Sequence, residues 1–267
     1  MNILTIIENR LRDVVPDSEL RATARWIAEE LTGLSRTEIL CGKGTINLRD
    51  MEMVAERIEQ HEPLQYVFAH TLWRGMDLRV QKGVLIPRPE TAELVDWILE
   101  ENDCHSLSLL DAGTGSGCIA IALKRERPNW DITALDYSTD ALAIARENAL
   151  RQQTEILLLQ GDMLALPENL QVDIIVSNPP YIAEKERMDM EENVLKYEPS
   201  EALFVPDDDV LRFYRGLAKQ KRAQKLYFEI NQAYGKEVTE MLQAEGYTAV
   251  ELRKDTEGNE RMVRAIL

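Results

Sequence analysis

Cysteine is scarce in this chain of 267 residues, and its placement argues against two kinds of stabilising site. The three cysteines are odd in number and form no C-x-x-C pair, so a disulfide framework and a thiolate zinc site are both disfavoured. They are Cys41, Cys104 and Cys118, and we expect them to be free, buried thiols. Histidine is equally sparse: His105 adjoins Cys104, and the other two histidines lie apart from that pair. The sequence therefore predicts no metal site.

Long apolar runs are also missing. No stretch approaches the roughly 18 uncharged apolar residues that a membrane-spanning helix needs. The amino-terminal stretch MNILTIIENRLRDVV carries Glu8, Arg10 and Arg12 within its apolar pattern, unlike the apolar core of a signal peptide. We therefore expect a cytoplasmic protein that has no membrane partner.

Basic residues are outnumbered, with 31 Lys and Arg against 47 Asp and Glu and a formal net charge of −16. Proteins that bind a phosphate backbone depend on clustered Lys and Arg, so a nucleic-acid partner is disfavoured. The acid-rich residues 183–192 and 207–209 are most simply solvated surface. A docking site for a basic protein is the alternative interpretation of these acids.

The spacing of the hydrophobic residues changes along the chain. From residue 1 to about 65, apolar positions recur at helical spacing, which predicts a small helical bundle. Residues 66–86 contain short β-like runs around Gly75, which predict a hairpin. After the hairpin, strand-like runs alternate with helical stretches, the pattern of a parallel sheet with crossover helices. These runs lie at 106–111, 131–136, 155–159, 172–177, 225–230 and 247–252, and the helical stretches include 138–150 and 234–245.

A glycine-rich turn follows the first of these strands. In LLDAGTGSGCIAIAL, Gly113, Gly115 and Gly117 separate the strand from a helix, whose first N–H groups are free to face a ligand. The G-x-G-x-G spacing departs from the G-x-G-x-x-G dinucleotide fingerprint, which weakens an NAD interpretation. Asp136 ends the next strand about 20 residues further on, where an acid can accept hydrogen bonds from ribose hydroxyls. The sequence therefore predicts a ribose-bearing cofactor, with tight packing as the alternative role for the glycines.

The third strand ends in QGDML, which contains Asp162 and Met163. A carboxylate at this position can accept from the exocyclic amine of an adenine, while the methionine packs on the ring. An ordinary strand-ending turn explains the same residues, and the sequence leaves both interpretations open.

The fourth strand ends in the sequence Asn178-Pro179-Pro180-Tyr181. The Asn side-chain oxygen and the proline carbonyls are acceptors, so this corner can hold an NH2 group by both of its hydrogens. An amide nitrogen is a poor nucleophile, and fixed acceptors would aim it at an electrophilic methyl group and stabilise the developing positive charge. Tyr181 can stack on the planar group. A proline-stiffened loop without chemistry is the alternative.

Together, Asp111 to Gly117 and Asn178 to Tyr181 resemble the S-adenosylmethionine-dependent methyltransferases that modify planar NH2 groups. Further stretches are similar to the HemK/PrmC family of release factor glutamine methyltransferases. They are PLQYVFAHTLWRGMDLRV, VLIPRPETAELV, YEPSEAL and DTEGNERMV. The IPRPET segment resembles the family segment beside the active site, and a proline-initiated helix entrance is its alternative interpretation.

This resemblance implies an α/β fold: a class I (Rossmann-like) S-adenosylmethionine-dependent methyltransferase sheet of seven strands, the last antiparallel, with a small N-terminal helical domain. It implies methyl transfer to the glutamine of the Gly-Gly-Gln motif of peptide chain release factors. The catalytic residues that it implies are Asn178, Pro179, Pro180 and Tyr181. The cofactor residues that it implies are Asp111, Gly113, Thr114, Gly115, Ser116, Gly117, Asp136, Asp162, Met163 and Asn178.

We expect three regions: residues 1–70 as a substrate-recognition domain, 71–86 as a connecting hairpin and 87–267 as the catalytic domain. The expected protein is a monomer that acts on release factors and not on nucleic acid. Three alternatives stay open: methylation of a ribosomal protein glutamine, methylation of an adenine or cytosine amino group, and cofactor binding without catalysis.

Overall fold

A computed structural model describes residues 2–103 and 106–267 and divides the chain into two compact units. The smaller unit ends at Ala69, and the larger one runs from His70 to Leu267. Residues 104 and 105, the sequence's one hint of a metal ligand pair, lie outside the described residues. Within the described residues, no cluster of three or more His, Cys, Asp or Glu could hold a metal ion. No helix in that part of the chain is long and apolar enough to cross a membrane.

The smaller unit is helical, as its sequence period predicts. Its helices are α1 (Ile3–Leu11), α2 (Asp17–Thr32), α3 (Arg36–Leu40), α4 (Leu48–Glu59) and α5 (Leu64–Val67). Ile7, Ile27 and Ile39 are among the side chains that close its core. Local chemistry sets the boundaries, because Gly33 takes the left-handed conformation that ends α2 and Ser35 forms a capping box with Glu38.

The larger unit opens with an antiparallel hairpin, β1 (His70–Trp73) and β2 (Met76–Arg79). Arg74 and Gly75 form its tight turn, both with positive φ. Strands β3 to β11 follow. They are β3 (Ser108–Ala112), β4 (Asp131–Asp136), β5 (Leu157–Gln160), β6 (Val172–Ser177), β7 (Ile182–Ala183), β8 (Phe204–Val205), β9 (Ala223–Glu229), β10 (Ala249–Lys254) and β11 (Glu260–Ile266).

The central sheet has seven strands in the order β10-β11-β9-β6-β3-β4-β5. Strand β11 pairs antiparallel with both neighbours, and the other pairings in the sheet are parallel. This confirms the predicted α/β sheet with an antiparallel last strand. Strands β3 and β6 are neighbours whose onward connections leave in opposite directions, so the ends of these two strands form the switch point where ligands bind in such sheets.

Both faces of the sheet are covered, which explains why its strands are continuous apolar runs. Leu109 packs into one core and Leu110 into the other, because successive side chains on a strand point to opposite faces. The helices of the larger unit are α6 (Pro89–Glu101), α7 (Cys118–Glu126), α8 (Thr139–Arg151), α9 (Glu192–Tyr197), α10 (Ser200–Leu203), α11 (Arg212–Lys219) and α12 (Gly235–Ala244). Residues of α6, α7 and α8 line the first core, and residues of α11 and α12 line the second.

The predicted strand limits agree with the structure to different degrees. Strands 131–136 and 172–177 are confirmed to the residue, whereas the run at 155–159 pairs over Leu157–Gln160. The acid-rich stretch 183–192, taken as solvated surface, contains a short 3₁₀ helix, Glu184–Asp189. Its Glu186 accepts from Ala183 N and from Asn231 Nδ2, so this acid has a structural role in the turn.

Candidate active site

A cavity of about 730 Å³ opens where the parallel strands end. Its wall is built from the loops after β3, β4, β5 and β6, from the segment that enters α6, and from Pro199, Glu201 and Ala202. The wall contains most of the residues predicted from sequence: Gly113, Thr114, Gly115, Ser116, Asp136, Asp162, Met163, Asn178 and Pro180. The others are not part of the wall: Gly117, Pro179 and Tyr181 adjoin wall residues in the chain, and Asp111 precedes Gly113 by two positions.

The loop after β3 depends on glycine for conformation and for space. Gly113, Gly115 and Gly117 all have positive φ, between 56° and 82°. A Cβ on Gly113 would lie 2.6 Å from Met163 Cε, whereas a Cβ on Gly115 would meet no atom within 4 Å. The backbone N–H groups of Gly113 and Thr114 both donate to Leu135 O, at 2.8 and 2.9 Å. The loop is therefore fixed against β4 while Gly115 leaves open space beside it.

Asp111 supports this loop from the protein interior. Its Oδ2 accepts from Thr114 Oγ1 at 2.6 Å and from Ala120 N at 3.2 Å. Its Oδ1 has no hydrogen-bond partner among the described residues, although the side chain is completely buried. Burial raises the pKa of Asp111 to about 7, against these two hydrogen bonds, which favour the ionised form. Asp111 is thus an incompletely satisfied buried acceptor next to the cavity.

Asp136 supports the same loop from the end of β4. Its Oδ2 accepts from Gly115 N at 2.8 Å, and its Oδ1 accepts from Ser138 N at 2.9 Å. Burial raises the pKa of this carboxyl as well. Each carboxylate oxygen has a second lone pair, so both can accept a further hydrogen bond. Its predicted contact with a ribose remains a prediction.

The turn after β5 contains the two residues for which the sequence left both interpretations open. Asp162 Oδ1 accepts from Leu164 N at 2.8 Å, which is the hydrogen bond of an ordinary strand-ending turn. The Met163 carbonyl accepts from Gln220 Nε2 at 2.9 Å, so the residue that follows helix α11 holds this turn in place. Both residues also line the cavity, so the turn leaves them placed to contact a ligand.

Asn178 follows the end of β6, at the switch point. The preceding residue, Ser177, donates through Oγ to Ala112 O at 2.5 Å, which joins the ends of β6 and β3. Asn178 Nδ2 donates to Thr91 Oγ1 at 3.2 Å. Among the described residues, no donor reaches Asn178 Oδ1. The corner therefore brings a free amide oxygen to the cavity wall beside the glycine loop.

Two residues behind this corner are absent from the predicted site. Glu229 is buried at the end of β9, where its Oε1 accepts from the Tyr181 hydroxyl at 3.1 Å and its Oε2 from Thr91 Oγ1 at 2.6 Å. The sequence carried two signals for them: Thr91 belongs to IPRPET, and Glu229 is an acid inside the apolar run LYFEI. Neither signal showed that the two residues meet, because they lie 138 positions apart.

The IPRPET segment satisfies both of its interpretations. Pro89 is the first residue of α6, and Arg88 and Thr91 line the cavity. Arg88 Nη2 donates to Glu198 Oε1 at 2.6 Å, and Ile86 N donates to Glu198 Oε2 at 3.2 Å. The buried Glu198 thus connects this segment to the cavity wall around Pro199.

Comparison with known proteins agrees with this geometry. Residues 91–201 match the family model described as "Methyltransferase small domain". A release factor glutamine methyltransferase of Bacteroides thetaiotaomicron is 43% identical, over 99% of this chain and 99% of the relative. Another, from Flavobacterium psychrophilum, is 38% identical over 98% of this chain and 97% of the relative. The chain belongs to the release factor glutamine methyltransferase family.

The family's sheet is shared with more distant methyltransferases. The hMettl16 catalytic domain, solved in complex with an RNA hairpin, aligns with a TM-score of 0.60 at 16% identity. The alignment covers 95% of this chain and 92% of that chain. At this identity the likeness concerns the fold alone, and it agrees with the class I methyltransferase sheet described above.

We predict that the buried link between the two wall segments is important for stability. Glu198→Ala would leave Arg88 and Ile86 N without their shared acceptor, and because Arg88 is 32% exposed and can be solvated, we expect a loss of about 1–3 kcal/mol, mainly from the unsatisfied buried N–H of Ile86. The matched control is Glu184→Ala, because the Glu184 pair with Arg187 has both side chains 40% or more exposed. That control should change the free energy of unfolding by about 1 kcal/mol or less. Urea denaturation measures both, and equal effects would contradict a special role for Glu198.

Proposed function

We propose that this protein transfers a methyl group from S-adenosylmethionine to the side-chain nitrogen of the glutamine in the Gly-Gly-Gln motif of peptide chain release factors. The near full-length similarity to release factor glutamine methyltransferases supports this activity. The observation that carries the proposal is the position of Asn178, whose amide oxygen has no donor within the described residues and whose backbone follows the strand next to the glycine loop.

The residues present fit this cofactor. The glycine loop offers backbone N–H groups and open space at Gly115, and Asp136 offers carboxylate lone pairs, while the buried Asp111 holds the loop from the protein interior. Asp162 and Met163 lie in the same wall, where an adenine amine and ring would find an acceptor and an apolar surface. When bound, the cofactor supplies an electrophilic methyl group on a sulfonium sulfur.

The contribution of the chain is to hold and aim the glutamine. Asn178 Oδ1 and the carbonyl of Pro179 or Pro180 accept the two hydrogens of the target NH2 group, which fixes the nitrogen's direction. Acceptors held rigidly at this place also stabilise the positive charge that develops as the nitrogen is methylated. No strong base is required, because the methylated cation is acidic and loses its proton afterwards. Tyr181 does not line the cavity and its hydroxyl is bound to Glu229, so the predicted stacking of Tyr181 on the amide is not part of the proposal.

The activity and the role of Asn178 can be tested in one assay. We expect wild-type protein, cofactor and purified release factor to give one added methyl group on the Gly-Gly-Gln glutamine, located by mass spectrometry. Asn178→Ala should lower turnover by on the order of 100-fold, because a preorganised acceptor is lost. Asn169→Ala, at an exposed loop position, is the control and should leave turnover unchanged.

Different failures of this assay have different meanings. Methylation of a ribosomal protein glutamine, with none on release factors, would assign the chain to the sibling activity. Methylation of bare DNA or RNA would support an adenine or cytosine substrate. Wild-type turnover by Asn178→Ala would make Asn178 a structural residue and would contradict the mechanism.

The proposal also assigns substrate recognition to the helical unit that ends at Ala69. The larger unit already contains the cavity, the glycine loop and the Asn178 corner, so the smaller unit is free to contact the protein substrate. Removing residues 1–69 should weaken binding to release factor while leaving cofactor affinity near its original value. Surface plasmon resonance measures the first and calorimetry the second. Unchanged affinity for release factor would contradict this assignment.

A further inference from the structure

Three side chains from distant parts of the chain form a line of hydrogen bonds behind the Asn178 corner. Glu229 Oε2 accepts from Thr91 Oγ1 at 2.6 Å, and Thr91 Oγ1 accepts from Asn178 Nδ2 at 3.2 Å. Glu229 ends β9, Asn178 follows β6, and these two strands pair in parallel with Ser177 opposite Phe228. Thr91 lies in the first turn of α6. The sheet therefore holds the two ends of the line, Glu229 and Asn178, and helix α6 holds Thr91 between them.

Glu229 is equipped to act as an acceptor. It is 1% exposed, and each of its oxygens receives a hydroxyl donor: Thr91 on Oε2 and Tyr181 on Oε1. Burial raises the pKa of its carboxyl, and the hydrogen bonds from Thr91 and Tyr181 and the charge of Arg261 oppose that rise. The negative charge of Glu90 also raises the pKa of Glu229. In its ionised form this carboxylate has no proton to donate, so in that form it fixes the direction of both hydroxyl bonds.

The direction of the hydrogen bond between Thr91 and Glu229 determines the direction of the bond between Thr91 and Asn178. A threonine hydroxyl has one proton, and the proton of Thr91 is used in the bond to Glu229. Its oxygen can then only accept from Asn178, so the nitrogen of the Asn178 amide must face Thr91. Rotating the amide by half a turn would place its oxygen against an oxygen with no available proton. The Asn178 oxygen is thereby kept free for a ligand in the cavity.

The other oxygen of Glu229, Oε1, holds Tyr181, the last residue of the Asn-Pro-Pro-Tyr sequence. Tyr181 OH donates to it at 3.1 Å, and burial raises the pKa of this phenol well above its ordinary value, so it stays protonated and remains a donor. A second contact holds the backbone here, because Asn231 Nδ2 donates to the Tyr181 carbonyl at 3.3 Å. One carboxylate therefore restrains both the first and the last residue of the Asn-Pro-Pro-Tyr sequence.

We propose that Glu229 and Thr91 are positioning residues that orient the Asn178 carboxamide with its oxygen toward the target NH2 group. This inference rests on the proposed function, since it requires that the target present hydrogens to Asn178. It goes beyond that function by assigning the orientation of the acceptor to a hydroxyl in the cavity wall and to a buried acid, both of which act through Asn178.

Substitution of Thr91 tests the inference. Thr91→Val keeps the shape and removes the hydroxyl, so the Asn178 amide loses its fixed orientation, and turnover should fall by about 10-fold or more because the target nitrogen is no longer aimed. Cofactor affinity, measured by calorimetry, should change far less than turnover. Thr91→Ser restores the hydroxyl and should recover most of the lost turnover. Thr239→Val removes a hydroxyl from α12 that donates only to the helix backbone, and it should behave as wild type.

The outcomes separate the inference from the proposed function. If wild-type protein does not methylate release factor, the proposed function fails. If wild type is active and Thr91→Val is equally active, the positioning role alone is contradicted. Thr91→Ser as defective as Thr91→Val would also contradict it, because packing and not the hydroxyl would then matter. Should Thr91→Val not fold, as judged by thermal melting, Thr91→Ala against Thr91→Ser repeats the comparison without the added methyl group.

Discussion

The parallel pairing of β3 with β6 is the constraint on which the site depends. Leu109, Leu110 and Asp111 lie opposite Ile174, Ile175 and Val176, and the Ser177 hydroxyl closes the pair on Ala112 O. This register places the glycine loop and the Asn178 corner side by side at the carboxyl ends of the two strands. The two strands connect onward in opposite directions, so no crossover covers the space between their ends. The cavity, the cofactor residues and the acceptor for the substrate all follow from this pairing.

Three buried acids fix the cavity wall, and each acid holds a different segment of it. Asp111 holds the glycine loop, Glu198 joins the IPRPET segment to the Pro199 wall, and Glu229 holds the Asn178 corner. Each is 5% exposed or less, and burying a carboxylate is costly unless donors surround it. In each case the donors belong to the segment of the cavity wall that the acid holds. The hydrogen bonds that offset the cost of burying the carboxylate therefore also order that segment. The same polar contacts thus serve both stability and geometry.

Much of this arrangement was predictable from sequence, and the reasons are physical. Strands β4 and β6 are buried on both faces and end at polar or proline residues, so composition alone marks their limits. The cofactor loop and the Asn-Pro-Pro-Tyr corner are local motifs whose chemistry can be read from consecutive residues. Thr91 and Glu229 were missed because their roles arise from a contact between positions 138 residues apart. The part of the cavity wall at Pro199, Glu201 and Ala202 was not predicted, because the helices and strands around it are too short to show a period.

The central claim is that the Asn178 carboxamide oxygen, oriented by Thr91 and Glu229, holds the target amide next to the methyl donor. It is tested most directly by a crystal structure of the protein with S-adenosylhomocysteine and a peptide containing Gly-Gly-Gln. The account predicts the glutamine NH2 within hydrogen-bond distance of Asn178 Oδ1, with Asn178 Nδ2 still donating to Thr91. A glutamine nitrogen directed away from Asn178, or an Asn178 oxygen turned toward Thr91, would contradict it.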